Sequence, residues 1–218
     1  IMQMFEVTRA PVIASHSSAR ALNDVSRNLD DEQLMALKEN GGVVQTVAFS
    51  SYIDSEKNTA NRQAVQALEA SIAEEMDFEI LGGRGGRGGR GGRGALQGLS
   101  EDARSVYSAN MEELRSRVAS RMEAEVTSTA PPVGVADFVD HIDYLVDLIG
   151  LEHVGISSDF DGGGGVEGWN DASETFNVTL ELVRRSYTEE EIGMLWSGNL
   201  LRVLDEVQAI AANIQAGG

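Results

Sequence analysis

Three short apolar runs, each rich in β-branched residues and each followed by a stretch of helical pattern, set the limits on how this chain can fold. They are APVIAS (residues 10–15), GVVQTVAFSSY (42–52) and HVGISSDF (153–160). Runs of this length without polar alternation read as strands buried on both faces. After the first, RNLDDEQLMALKENGG opens with Asp30, Asp31 and Glu32, repeats Leu34 and Leu37 at helical spacing and stops at Gly41-Gly42. NRQAVQALEASIAEEM (61–76) reads as a helix, and so does SEDARSVYSANMEELRSRVASRMEAE, where Ser100 serves as N-cap with Glu101 and Asp102 in the first turn. Pro131-Pro132 then break the chain, and VADFVDHIDYLVDLIG lines Phe138, Ile142, Leu145, Val146 and Ile149 along one helical face. SETFNVTLELVRRS and TEEEIGMLWSGNLLRVLDEVQAIAA close the chain as helices.

Strands alternating with helices imply parallel pairing through crossover connections, hence an α/β fold. A (β/α)8 barrel needs eight strands and usually about 250 residues. With three strands visible in 218 residues, the expectation is an incomplete barrel. Length alone makes one domain the default, so residues 1–218 read as a single region. Residues 82–94, GGRGGRGGRGGRG, are low-complexity and predict a disordered loop within it, because ordering glycine is entropically costly and offers nothing to pack.

Composition removes several function classes. No apolar run approaches the roughly 20 residues that span a bilayer. With 35 acidic against 17 basic residues the net charge is -18, which repels phosphate backbones and anionic lipid, so nucleic acid is a poor default partner. Zero cysteines exclude a disulfide scaffold and thiolate chemistry without assigning a compartment. The opening IMQMFEVTRAP lacks the basic start and apolar stretch of a signal peptide, and its initial Ile1 suggests a fragment or a processed product.

Chemistry-bearing residues fall where strands end. His16 follows the first predicted strand, at the carboxyl end where barrel-type enzymes hold their ligands, and an imidazole there suits a divalent metal or a structural hydrogen bond. Asp159 exits the third strand, with Asp161 two residues on and a glycine run behind. It can orient a substrate amine and move a proton, or cap the following turn. Arg27 can grip a carboxylate with its planar fork or sit in a surface ion pair. Tyr52 ends the second predicted strand and can donate its phenol or cover the core edge. His141, in a helix, and His153, before its strand, rank lower. DFDGGGGVEG lacks the Lys-Ser/Thr of a P-loop.

The series APVIASHSSARAL, RNLDDEQL, GGVVQ, DHIDYLVDLIGLEHVGISSDFDGGG and EEEIGMLWSGNLLRVL resembles the renal (membrane) dipeptidase family of zinc peptidases, specifically the C-terminal part of its metal-dependent hydrolase barrel. The likeness covers nearly everything except the Arg-Gly tract and its flanks. It implies hydrolysis of dipeptides with two zinc ions. By this resemblance His16 is a ligand of the second zinc, Arg27 binds the substrate's C-terminal carboxylate, and Asp159 holds the amino group and assists proton transfer. Tyr52 matches a tyrosine near the active site.

The family's other metal ligands precede the point where this chain begins, and one histidine does not hold two zinc ions, so the 218 residues alone are expected to be inactive. An incomplete sheet exposes strand edges, which predicts pairing with a missing N-terminal half, homo-oligomerisation or aggregation. Two other readings compete: a non-catalytic module whose Arg-Gly tract recruits nucleic acid, and a metal-dependent hydrolase of another amide or a lactone.

Overall fold

The structure, a computed structural model, describes residues 1–81 and 98–217, so the Arg-Gly tract at 82–94 lies outside the described residues. The elements are α1 (Met2–Val7), β1 (Ile13–Ser17), α2 (Asp31–Glu39), β2 (Val43–Val47), α3 (Ser50–Ile53), α4 (Ser55–Glu75), α5 (Glu101–Met122), α6 (Val135–Ile149), β3 (Val154–Ser157), α7 (Thr175–Arg184), α8 (Glu189–Gly193) and α9 (Asn199–Gln215). They group into two compact units, one of residues 1–58 with 132–218 and one of residues 59–131.

The first unit contains the sheet. Among the described residues it has three strands in the order β1-β2-β3, each pair parallel. Val44 of β2 lies opposite Ala14 on one side and Val154 on the other, and the register slips between Ala14 and Ser17. Val44, Val154 and Ile156 face the helices and share a core with Leu34 and Leu37 of α2, Phe138, Ile142, Leu145 and Ile149 of α6, and Val178 and Leu182 of α7. Buried Trp169 packs against the rings of Phe138, Phe160 and Trp196, with centroids 5.4–5.8 Å away. Burial of each such side chain contributes roughly 1.5–3 kcal/mol, so the packing of α2, α6 and α7 with the sheet is the main source of cohesion.

Local chemistry explains the helix limits. Asp30 caps α2 by accepting from the Gln33 N–H while Gln33 reaches back to the Asp30 N–H, and Thr188 with Glu191 repeats this reciprocal cap at α8. Ser100 accepts from the Ala103 N–H at the start of α5, as its sequence predicts. The C-terminal helical stretch is interrupted, because residues Met194–Gly198 between Gly193 and Asn199 form a π-helical turn.

Two strand expectations need correction. The first strand runs over 13–17 rather than 10–15, and it is not buried on both faces: Ile13 is 41% exposed. Among the described residues β1 pairs only with β2, so one of its edges is open. Residues 10–12 are instead held by the Asn40 carboxamide, which accepts from the Val12 N–H and donates to the Ala10 carbonyl. The third strand is only Val154–Ser157; His153 lies in a 3-10 turn and bonds the Gly42 carbonyl at 2.8 Å.

The second unit has its own small core, Leu68, Ile72 and Ala73 of α4 against Leu114 of α5 and Val126 of the turn that follows. Arg121 joins α5 to α4 through Glu75 and also bonds Glu125, and these two carboxylates raise its pKa.

Candidate active site

Because the strands are parallel, the segments leaving their carboxyl ends all start from one edge of the sheet. β1 leads into the 18–29 loop, β2 into α3, and β3 into Asp159. His16 lies inside β1 rather than after it, at the register slip. A bulge of this kind re-aims a side chain. Its Nδ1 is 2.8 Å from Ser15 Oγ, and its Nε2 faces Asp159 Oδ1 at 3.6 Å. That separation exceeds a hydrogen bond, and the two side chains are 42% and 26% exposed, so the pair is solvent-screened and does not commit the imidazole.

Asp159 is held in the left-handed region, at φ 52 and ψ 34. Its backbone carbonyl accepts from the N–H groups of Gly162 and Gly164, at 3.0 and 2.7 Å. A Cβ at Gly162 would run into the Asp159 carboxylate, and one at Gly164 into the Ser158 carbonyl. The glycine run therefore makes room for this aspartate's own turn. The Asp159 side chain makes no capping bond to the turn that follows, and Asp161 is exposed.

Arg27 and Tyr52 form a second pair. The exposed Arg27 guanidinium lies 5.8 Å from the centroid of the Tyr52 ring, and that ring stacks on Phe49 at 4.5 Å. Among the described residues Arg27 makes no ion pair, so the surface-ion-pair alternative is not what the structure shows. Tyr52 does not end β2; it lies in α3, a single helical turn that the sequence pattern does not reveal.

Three buried polar residues outside the candidate set hold these loops. Asn28 donates to the carbonyls of Tyr52 (2.7 Å) and Asn23 (2.9 Å) and accepts from the Ser18 N–H (3.1 Å). Asn23 donates to the Ser51 carbonyl and accepts from Ser55. His141 of α6 bonds the Ala19 N–H and the Ile53 carbonyl, and burial lowers its pKa. The only sequence hint of this frame is that Asn28 adjoins Arg27.

Zinc takes about four protein or water donors. His16 and Asp159 offer one imidazole and one carboxylate, and among the described residues no three His, Asp or Glu side chains cluster closely enough to hold a metal. An imidazole so placed fits one ligand position; the described residues do not make a zinc site by themselves.

The fold and this edge define a parallel α/β protein with chemistry-bearing side chains at the carboxyl ends of its strands, the arrangement of barrel-type enzymes. The chain belongs to the membrane dipeptidase family, peptidase family M19, which it matches over residues 1–218. It is 29% identical to the dipeptidase aclJ of Aspergillus oryzae over 97% of this chain and 33% of that protein. To human dipeptidase 3 it is 28% identical, over 99% of this chain and 29% of that one. A crystal structure of the probable dipeptidase PvdM from Pseudomonas aeruginosa superposes with TM-score 0.60 at 37% identity, covering 95% of this chain and 48% of PvdM. The chain thus spans about a third of the curated relatives and about half of PvdM. Its architecture is part of the TIM-barrel-like fold of these dipeptidases.

Proposed function

We propose that this chain is part of a zinc-dependent dipeptidase, to which it supplies one metal ligand and the groups that grip the substrate's two ends. The observation that supports this reading is the approach of His16 and Asp159 to 3.6 Å from different strands. When bound, zinc would polarise the scissile carbonyl and acidify water. His16 contributes Nε2 to the metal while Ser15 steadies its other nitrogen.

Asp159 receives the substrate's ammonium group and passes a proton. Arg27 takes the terminal carboxylate on its fork, and Tyr52 supports the guanidinium from its ring face. A grip at each terminus favours substrates of two residues, and the whole protein's substrates are accordingly dipeptides. The other zinc ligands lie outside the 218 residues, so the isolated chain holds zinc weakly and does not turn over dipeptides.

The test uses the polypeptide that carries this chain. His16→Ala should lower bound zinc, and Asp159→Asn should keep zinc while kcat/KM for a dipeptide falls by about 10²-fold or more. Unchanged zinc stoichiometry in His16→Ala removes that residue from the ligand set, and full activity in Asp159→Asn refutes its role.

A further inference from the structure

His141 is 2% exposed and sits on α6, an element that carries none of the substrate-gripping residues. A backbone N–H can only donate and a carbonyl can only accept. With Ala19 N at 3.1 Å from Nδ1 and the Ile53 carbonyl at 2.9 Å from Nε2, the ring is therefore neutral with its proton on Nε2. Each nitrogen binds a different segment: Ala19 belongs to the loop that carries Arg27, and Ile53 follows Tyr52 in α3. Asn28 adds a second tie between these segments, donating to the Tyr52 carbonyl at 2.7 Å and accepting from the Ser18 N–H at 3.1 Å.

The Arg27–Tyr52 pair thus spans two short segments, the 18–29 loop and the single helical turn α3. Its two members ride on separate segments, and those segments meet through the His141 imidazole and the carboxamides of Asn23 and Asn28. We infer that His141 is a positioning residue for carboxylate recognition: by bonding Ala19 and Ile53 together it holds the Arg27 guanidinium against the Tyr52 ring in register with the substrate's C-terminal carboxylate.

This inference rests on the dipeptidase reading and adds to it a residue that never touches substrate. A merely structural histidine would, when replaced, impair all substrates alike. A positioning residue for one grip affects only substrates that use that grip. His141→Asn can retain the acceptor toward Ala19 and His141→Gln the donor toward Ile53, so neither variant keeps both bonds.

In the polypeptide that carries this chain, each variant should raise KM for a free dipeptide about tenfold, the scale of one lost hydrogen bond, with kcat changed less than twofold. For the same dipeptide with its C-terminus amidated, which offers no carboxylate, both constants should stay within twofold of wild type. Two variants with different retained bonds guard against one that fails to fold, which circular dichroism at the assay temperature would reveal. Equal losses on both substrates, or no loss on the free dipeptide, overturn the positioning role alone. A wild-type protein that hydrolyses neither substrate overturns the dipeptidase reading, and one that does not prefer the free carboxylate overturns the route through Arg27.

Discussion

Replacing Asn28 with alanine removes more than one side chain's worth of packing. The residue is wholly buried, and its carboxamide makes three well-formed hydrogen bonds: to the carbonyls of Tyr52 at 2.7 Å and Asn23 at 2.9 Å, and from the Ser18 N–H at 3.1 Å. A fourth contact, to the Ala19 carbonyl at 3.4 Å, is too long to count fully. Each neutral bond contributes roughly 1 kcal/mol net, and the Ser18 N–H left behind in a buried place adds a desolvation cost of about 1–3 kcal/mol. Asn28→Ala should therefore destabilise the first unit by about 4–6 kcal/mol, far above the roughly 0.5 kcal/mol of a surface change. Urea unfolding followed by tryptophan fluorescence reads this unit directly, because Trp169 lies in its core. A lowered midpoint at unchanged slope is the expected outcome. A shift below about 1 kcal/mol would refute the reasoning, because it would mean that water replaces the carboxamide at no cost.

Two further predictions follow from the same unit. His141 is held neutral by burial, with Asp140, Asp54 and Asp137 opposing the shift, so its folded pKa lies below the ordinary 6.5. The unfolded state then binds more protons, and stability that is complete above about pH 6.5 is lost as pH falls through that value toward the depressed one. The slope is at most about 1.4 kcal/mol per pH unit, and urea midpoints at pH 8 and 5.5 should show a fall that His141→Gln diminishes. Gly162→Ala should displace the Asp159 carboxylate without unfolding the sheet, since the added methyl meets that carboxylate rather than the core. Dipeptide turnover in the polypeptide carrying the chain should drop at least tenfold with the urea midpoint nearly unchanged, and retained turnover would show that Asp159 has room to move.

The strands, α2 and α6 were legible because apolar period and punctuation agree there. Val43, Val44 and Val47 are all fully buried, and Phe138, Ile142, Leu145 and Ile149 line one buried face. What the pattern could not resolve are features set by partners distant in sequence. β1 reads as a buried strand because alternation cannot distinguish an edge from an interior strand. The pattern puts Tyr52 at the end of a strand because a four-residue helix has no period to detect. The place of Asp159 just after β3 is legible, whereas His16 lies within β1 rather than after it, and their approach depends on a register slip in β1 and a left-handed turn after β3. Neither has a local signature beyond the glycines after Asp159. A helical position gives His141 a low rank, and its contacts, 122 and 88 residues away in sequence, explain why rank by position fails for residues that join elements.

Net charge ties the candidate site to the rest of the molecule. A chain with 35 acidic and 17 basic residues repels the carboxylate of any small peptide, and many of its cations are consumed internally. Arg20 pairs with Asp30, Lys57 with Asp137, Arg185 with Asp140, Asp143 and Glu181, and Arg202 with Glu206. A guanidinium intended for an incoming carboxylate must be held in place without being neutralised. An aromatic face does this: it orients the cation while leaving its N–H donors free, which no aspartate or glutamate partner would. The Tyr52 ring beneath Arg27 meets that requirement, and the buried frame of Asn23, Asn28 and His141 fixes the two loops that bring them together. Under the proposed reading, recognition of an anion by so acidic a chain depends less on adding positive charge than on keeping one arginine away from the carboxylates around it.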